Sequence, residues 1–320
     1  MITVTRDVFP LAQVFRISRG ARTEAKVLTV RIEREGHVGV GECVPYARYG
    51  ETLESVEDQI KSLPFDITRS ALQSALPAGA ARNAVDCALW DLEAKAAGRR
   101  VWDLAQLSAP GPEITAYTLS LDEPDAMEAS ARKNAFRPLL KIKLGTPDDM
   151  PRLEAVRRGA PNSRIIVDAN EGWDVPTYLA LCPHLERLGV ALIEQPVPAD
   201  EDDALIGVTR SVPLCADESC HDRKSLEALI GKYDVVNIKL DKTGGLTEAL
   251  ALRDKALDLG FDVMVGCMVG SSLAMAPATI VAQGAVITDL DGPLLLAQDR
   301  DAPLRFDEFG VHPPSPALWG

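Results

Sequence analysis

Eight short apolar segments alternate with helical segments, and this alternation constrains the fold of the 320-residue chain more than any other feature. Such a rhythm is typical of parallel strands joined by crossover helices. It fits an α/β barrel or an open, doubly wound sheet. No glycine-rich phosphate-binding motif follows the first strand, which favours the barrel. The predicted strands are residues 115–119, 139–144, 165–168, 192–194, 214–217, 235–239, 263–266 and 286–289.

The first hundred residues have a different pattern. Apolar and polar residues alternate over 26–33 and again over 38–42, with a Glu-Gly turn at 35–36 between them. This predicts an antiparallel β meander. Helical patterns follow over 53–63 and 80–97. The N-terminal part of the chain is therefore expected to form an α+β unit.

The chain is longer than one simple domain, so two domains that share one site are expected. A Pro-Gly-Pro sequence at 110–112 is a suitable linker. We therefore predict an N-terminal α+β domain over residues 1–110 and a barrel over 111–299.

Composition narrows the classes of partner. A hydrophobic content of 46% is enough for large cores, and a net charge of -13 argues against nucleic acid or an anionic membrane as a partner. Residues 263–287 carry no charge, but Gly266, Gly270 and Pro277 favour a buried strand, loop and helix over a membrane span.

The cysteines and the N-terminus bear on the compartment. Residues 1–10 lack the apolar core of a signal peptide. The six cysteines are scattered singly, without a CxxC pair. Such a pattern is typical of thiols in a reducing compartment, so we expect a cytoplasmic protein.

Acidic residues end three successive predicted strands. Asp168, Glu194 and Asp217 follow one another at intervals of 26 and 23 residues, and Lys239 ends the next strand 22 residues later. A single acid at a strand end is often a helix cap. Three in phase predict a shared site, because the carboxyl ends of barrel strands carry the active site. Hard oxygen ligands without His or Cys favour Mg²⁺ over Zn²⁺.

Two lysines share one face of the strand at 139–144. Lys141 and Lys143 alternate with apolar residues, so both point to the same side. An exposed edge strand that deters aggregation would have the same pattern. In a barrel, however, this strand and the strand of Lys239 lie on opposite sides of the acids, which places a basic group on each face of a bound substrate.

The chain resembles the enolase superfamily, and within it the muconate lactonizing enzyme subgroup. The resemblance covers nearly the whole chain. It implies a modified TIM barrel, (β/α)7β, one Mg²⁺, and an N-terminal capping domain completed by residues 300–320. No histidine falls at a suitable strand end, unlike in the mandelate racemase subgroup. The matching motifs are Lys141-Ile142-Lys143, Asp168-Ala169-Asn170, Glu194-Gln195-Pro196, Ala216-Asp217-Glu218, and Lys239 followed by Thr243-Gly244-Gly245.

The resemblance implies abstraction of a proton α to a carboxylate. Mg²⁺ held by the three acids would stabilise the enolate, with help from the cationic Lys141. Lys143 and Lys239 would be the acid/base pair, each with a pKa lowered by neighbouring positive charge. One base on each face would permit epimerisation.

Two further places resemble the dipeptide epimerases, in particular those that act on L-Ala-D/L-Glu. Asp289 and Asp291 end the last barrel strand and suit a substrate ammonium group, although an ordinary Asp turn would look the same. Arg22, in a loop predicted over 18–24, could bind the glutamate side-chain carboxylate, or could be a solvated loop residue. Thr118, on the first barrel strand, is a weaker candidate contact.

Several functions share these lysines and acids. The alternatives are racemisation of N-acyl amino acids, o-succinylbenzoate synthesis and muconate-type cycloisomerisation; Gly270 argues mildly against the last. An inactive barrel that serves as a metal-binding structural protein is the non-enzyme alternative. The presence of all three lysines and all three acids argues against it. The expected partner is a small dipeptide substrate, with assembly into a homo-oligomer left open.

Overall fold

The chain begins with a three-stranded antiparallel sheet. The computed structural model describes residues 1–146 and 148–320, and its first strands are β1 (Ile2–Ile17), β2 (Gly20–Arg34) and β3 (His37–Cys43), in that spatial order. Glu35 and Gly36 have φ of 50° and 81°, as a tight hairpin turn between β2 and β3 requires. The predicted meander is therefore present.

The loop predicted over residues 18–24 is wrong. β1 and β2 pair as far as Ile17 and Gly20, so only Ser18 and Arg19 form the turn, and Arg22 lies within β2 opposite Phe15. Gly20 begins β2 with φ of 145°, a backbone conformation that glycine adopts without strain.

The N-terminal domain also contains four α-helices, of which α3 (Ala80–Ala97) is the central one. It lies against β3 so closely that a Cβ on Gly39 would be 2.0 Å from the carbonyl oxygen of Ala88, and one on Gly41 would be 2.2 Å from that of Ala84. Small residues on both elements allow this approach. The helices are α1 (Leu53–Lys61), α2 (Arg69–Ala75), α3 (Ala80–Ala97) and α4 (Val101–Leu104).

Eight parallel strands form the second sheet, in strict sequence order, as predicted. A bridge between Thr115 and Thr288, on which Ala116 N–H donates to the Thr288 carbonyl at 2.8 Å, closes the two ends into a barrel. The strands are β4 (Tyr117–Leu119), β5 (Leu139–Lys143), β6 (Arg164–Asp168), β7 (Val190–Glu194), β8 (Leu214–Ala216), β9 (Val235–Ile238), β10 (Asp262–Gly266) and β11 (Ile287–Asp289).

Most crossovers are α-helical, but those after β7 and β8 contain 3₁₀ segments, Asp202–Leu205 and Arg223–Leu229. Two helices, α8 (Leu240–Thr243) and α9 (Leu246–Asp258), follow β9. The helices are α5 (Pro124–Lys133), α6 (Met150–Gly159), α7 (Val175–Arg187), α8 (Leu240–Thr243), α9 (Leu246–Asp258) and α10 (Ser272–Val281).

One layer of apolar side chains fills the barrel below the mouth. Each strand, or the residue just before it, contributes one buried member, so the interior is a packed core and not a channel. The members are Ala116, Leu139, Ile166, Leu192, Cys215, Val235, Met264 and Ile287. Side chains two residues further along each strand therefore face the mouth.

The tail returns to the N-terminal domain after a short hairpin, β12 (Phe306–Asp307) and β13 (Gly310–Val311). Trp319 is fully buried, and its indole N–H donates to the Cys87 carbonyl of α3 at 3.0 Å. The domain division at residues 110 and 299 stays a prediction. Among the described residues, no helix combines the length and apolar character that a membrane span would need.

Candidate active site

The three predicted acids meet at the barrel mouth. Asp168 and Glu194 end β6 and β7 and are paired in register, and Asp217 directly follows β8. All three are buried, and one carboxylate oxygen from each lies within 4.8 Å of those of the other two. Parallel strands in register bring their carboxyl ends to one edge, so the spacing in the sequence becomes proximity in space.

The three predicted lysines surround these acids. The Nζ of Lys141 lies 2.5 Å from Glu194 and 3.1 Å from Asp168. The Nζ of Lys143 donates to Asp168 at 2.5 Å. β5 is buried between β4 and β6, so the alternative of an exposed edge strand is wrong.

Lys239 lies on the other side of Glu194. Its Nζ donates to Asp217 at 2.6 Å and is 3.8 Å from Glu194. Lys143 contacts Asp168 instead, and Asp168 and Asp217 flank Glu194 in the strand order. The two ammonium groups therefore stand on opposite sides of the carboxylate cluster.

The carboxylates raise the pKa values of two lysines. Burial lowers the pKa of Lys141, but Asp289 and then Glu194 raise it well above its ordinary value. Burial also lowers the pKa of Lys239, and Asp217 and Glu194 again raise it well above the ordinary value. The lowered pKa expected for Lys239 is therefore not produced by the protein's own groups.

The pKa values of two of the acids are shifted in opposite directions. Burial raises the pKa of Glu194, and the neighbouring Asp168 raises it further, to about 7. Burial raises the pKa of Asp168 too, but Lys143 and Lys141 lower it below its ordinary value. Negative charge at Glu194 is thus the least compensated, because it is flanked by two ionised carboxylates.

This donor set fits a magnesium ion. Oε2 of Glu194 is buried, and its negative charge is paired with Nζ of Lys141 at 2.5 Å. Three buried carboxylates from three strands offer the hard oxygen atoms that Mg²⁺ prefers.

Two further residues hold the acids in place and were not predicted. Asn237 donates to Oε1 of Glu194 at 2.8 Å. Lys242 is fully buried and donates to Oδ1 of Asp217 at 2.6 Å and to the Asn237 carbonyl at 3.0 Å. Asn237 could have been found, because it precedes Lys239 by two positions on one strand face; Lys242 lies on α8, out of that phase.

A cavity of about 440 Å³ lies over the mouth between the two domains. Lys143, Lys239 and Asp217 form part of its floor. The N-terminal domain supplies the opposite wall from the β1–β2 hairpin and the loop after β3. The residues on that wall include Phe15, Ile17, Arg19, Arg22, Tyr46, Arg48 and Tyr49.

Three arginines line this wall, and two are already paired. Arg19 donates to Glu218 at 2.7 Å, and both Arg19 and Arg48 donate to Glu171. Arg22 makes no ion pair with any described residue, and its guanidinium lies 5.1 Å from the ring centre of Tyr46. The sequence indicated Arg22 but not Arg19, Glu171 or Glu218.

The predicted acidic pair is buried beside the lysines. Asp289 accepts a hydrogen bond from Lys141 at 2.8 Å, while its Oδ1 accepts none from the described residues. Asp291 accepts the main-chain N–H of Thr118 at 2.6 Å. Burial and then Asp289 raise the pKa of Asp291 to about 7.

Two family profiles together match most of the chain. Residues 1–105 match the mandelate racemase / muconate lactonizing enzyme N-terminal domain, and residues 125–315 match the enolase C-terminal domain-like family. The chain belongs to the enolase superfamily. Both the eight-stranded barrel and the antiparallel N-terminal sheet are those of this superfamily.

Two relatives of this enolase superfamily member are named for reactions of glutamate derivatives. The chain is 47% identical to L-Ala-D/L-Glu epimerase from Escherichia coli K12, over 97% of this chain and 99% of the relative. It is 48% identical to N-acetyl-D-glutamate racemase from a Pseudoalteromonas species, over 92% of this chain and 95% of the relative.

Solved structures agree with this family assignment. An enolase family member from Agrobacterium tumefaciens, solved with sodium and L-Ala-L-Glu, is 51% identical, with a TM-score of 0.98 and coverage of 100% of this chain and 99% of that one. A dipeptide epimerase from Cytophaga hutchinsonii, solved with Mg and D-Ala-L-Val, is 28% identical, with a TM-score of 0.90 and coverage of 97% and 91%.

Proposed function

We propose that this protein is a Mg²⁺-dependent dipeptide epimerase whose substrate is L-Ala-D/L-Glu. The observation that carries the proposal is the placement of Lys143 and Lys239 on opposite sides of three clustered carboxylates, beneath a wall that presents Arg22, which pairs with no carboxylate of the described residues. The likeness to L-Ala-D/L-Glu epimerase over nearly the whole chain supports the same substrate.

The difficult step is removal of a proton α to a carboxylate. Mg²⁺ held by Asp168, Glu194 and Asp217 would supply positive charge where the substrate carboxylate becomes more negative. Lys141, buried and cationic, adds a fixed positive charge at the same place. Charge stabilisation of this kind acts most strongly in a site that excludes water.

Lys143 and Lys239 would transfer the proton at their ε-nitrogens. One neutral amine removes the α-proton from one face, and the other ammonium group returns a proton to the opposite face. The carboxylates that raise the pKa of Lys239 are the metal ligands themselves. A divalent charge on them would offset that effect and favour a neutral amine.

Two ends of the dipeptide would be bound far from the reacting carbon. Arg22 presents its guanidinium at the cavity wall, where it would bind the glutamate side chain. Oδ1 of Asp289 is the acceptor left for the substrate ammonium, because Lys141 occupies the other oxygen. Thr118 would act through its main-chain hydrogen bond to Asp291.

Racemisation of an N-acylated glutamate is the second candidate. The relative with 48% identity is named for that reaction. Because the raised pKa of Asp291 lets it carry a proton near neutral pH, it could donate to an amide oxygen instead of accepting from an ammonium group. Only the group at the amino end differs between the two substrates.

We also infer a cytoplasmic enzyme of two domains, divided near residues 110 and 299. Six free cysteines, most of them buried, support a reducing compartment. The net charge of -13 argues against a nucleic-acid partner, and assembly into a homo-oligomer is compatible with the chain.

Exchange of the α-proton in D₂O, followed by NMR, tests the proposal. We expect rapid exchange with L-Ala-L-Glu and L-Ala-D-Glu, slower exchange with L-Ala-L-Met, and little with N-acetyl-L-glutamate. Chelation should abolish exchange, and added Mg²⁺ should restore it. Faster exchange of N-acetyl-L-glutamate would favour the second candidate, and no exchange with any substrate would refute both.

A further inference from the structure

The segment Thr243-Gly244-Gly245 is fixed to Lys239 by one helical turn. The main-chain N–H groups of Lys242 and Thr243 donate to the Lys239 carbonyl at 2.9 and 3.0 Å, and Gly244 N–H donates to the Leu240 carbonyl at 2.8 Å. This turn is α8. Any displacement of the segment would therefore move the backbone that carries Lys239.

Arg82, on helix α3 of the N-terminal domain, forms hydrogen bonds with this segment. The guanidinium donates to the carbonyls of Thr243 at 2.7 Å and Gly244 at 3.2 Å. Gly244 has φ of 80°, and a Cβ there would be 2.3 Å from Nε of Arg82. Glycine is required both by the backbone conformation and by the closeness of the arginine.

Asp86, one turn further along α3, holds the next residues. A Cβ on Gly245, which has φ of 108°, would be 2.5 Å from Cβ of Asp86. The Asp86 carboxylate accepts the N–H and hydroxyl of Thr247 at 2.9 and 2.7 Å. Two side chains of α3 therefore fix both sides of the glycine pair.

Burial of the charged Arg82 side chain costs free energy, because the charge is removed from water. It is 7% exposed, and burial lowers its pKa. Among the described residues it forms no ion pair, and all of its hydrogen bonds go to main-chain carbonyls. A buried cation without an anion stabilises a fold poorly, whereas a rigid fork of donors fixes the positions of the carbonyls it binds.

We propose that Arg82 and Asp86 are positioning residues for Lys239, so that the N-terminal domain sets the geometry of one of the two bases. The inference rests on the proposed two-lysine epimerisation. Lys143 is carried by β5, four strands from β9 in the sheet order, and its ammonium group binds Asp168. The effect of losing Arg82 should therefore fall on one face of the substrate.

The experiment compares proton exchange on the two faces. Rates of α-deuterium incorporation would be measured from L-Ala-L-Glu and from L-Ala-D-Glu at saturating Mg²⁺ for the wild type, Arg82→Met, Lys143→Ala and Lys239→Ala. In Arg82→Met, the ratio of the two rates should change by about tenfold or more, since small misplacements of a catalytic group are costly. The change should have the same direction as in Lys239→Ala.

Arg157→Met is the matched control. Among the described residues, Arg157 also donates only to main-chain carbonyls, including those of Ser163 at 2.7 Å and Leu188 at 3.0 Å, but it lies on α6 and none of its acceptors belongs to α8. Its loss should leave the ratio unchanged. If Arg82→Met does not fold, Arg82→Lys, which keeps one donor, should give a smaller change in the same direction.

The outcomes separate the two proposals. Equal loss of both rates in the Arg82 variants, or a change in the direction of Lys143→Ala, would overturn the positioning role. A wild-type protein that exchanges neither epimer would instead refute the proposed function.

Discussion

At the scale of single residues, the three cavity arginines differ in whether a carboxylate pairs with their charge. Arg19 and Arg48 are paired with Glu171, and Arg19 also with Glu218, so their positive charge is compensated within the protein. Arg22 has no such pair among the described residues. An uncompensated cation at a cavity wall is available to an anionic ligand.

Arg22→Ala should therefore lower kcat/KM for L-Ala-L-Glu by about 10- to 100-fold, which corresponds to the loss of one charge-assisted hydrogen bond. L-Ala-L-Met has no side-chain carboxylate, so its kcat/KM should change little. Steady-state kinetics with both dipeptides measure this difference. An equal loss for both would make Arg22 a residue that only shapes the hairpin.

Glu194→Gln should weaken Mg²⁺ binding by at least about tenfold, because it removes the negative charge that has least compensation. The amide oxygen can still accept the hydrogen bond of Asn237, so the fold should persist. Calorimetric titration with Mg²⁺ gives the affinity. Glu218→Gln, next to Asp217 but paired with Arg19, is the control and should have the smaller effect. Unchanged affinity in Glu194→Gln would exclude this metal site.

At the scale of elements, β5 and β9 deliver the two lysines from opposite sides of the acids. If each lysine serves one face, Lys143→Ala and Lys239→Ala should both abolish epimerisation, while each retains α-proton exchange with one epimer. Deuterium incorporation from each epimer distinguishes the variants. Identical residual exchange patterns in the two variants would contradict a base on each face.

The β1–β2 hairpin shows where prediction from the sequence stops. The strand-end acids could be predicted because the period of a βα unit brings them into register. The turn at Ser18 and Arg19 could not be related to the barrel, since Arg19 contacts Glu218 at a sequence separation of 199 residues. No local pattern encodes such a contact. The same holds for Asp289 and Lys141, which are 148 residues apart.

At the scale of the whole molecule, the two domains meet through buried polar groups of α3. Burial raises the pKa of Asp86 from 3.8 to about 6. The folded protein thus keeps this proton to a higher pH than the unfolded chain. The corresponding stability is present below about pH 4 and is lost as the pH rises through about 6.

Asp86→Asn removes the carboxyl group that titrates. The difference in unfolding free energy between variant and wild type should therefore move in favour of the variant by up to about 3 kcal/mol between about pH 4 and pH 7. Urea unfolding at several pH values measures it. A difference that stays constant with pH would show that Asp86 does not titrate in this range.

The sequence predicts the architecture of the molecule better than it predicts the pKa values of its ionisable groups. The eight strands and the barrel follow from repeated local patterns. The pKa of Lys239 does not, because its direction depends on how near Asp217 and Glu194 come to one nitrogen atom. Distances of this kind are set by packing between strands and by the helix that supports them.

Trp319 has a consequence for how the protein is made. The ribosome joins this residue to the chain 232 positions after Cys87, whose carbonyl its indole binds. During synthesis, α3 is therefore translated long before Trp319. The indole cannot bind the Cys87 carbonyl until the entire barrel has been translated. A nascent N-terminal domain would be held incomplete through that interval, exposed to chaperones and proteases, and would become complete only after its partner domain had been made.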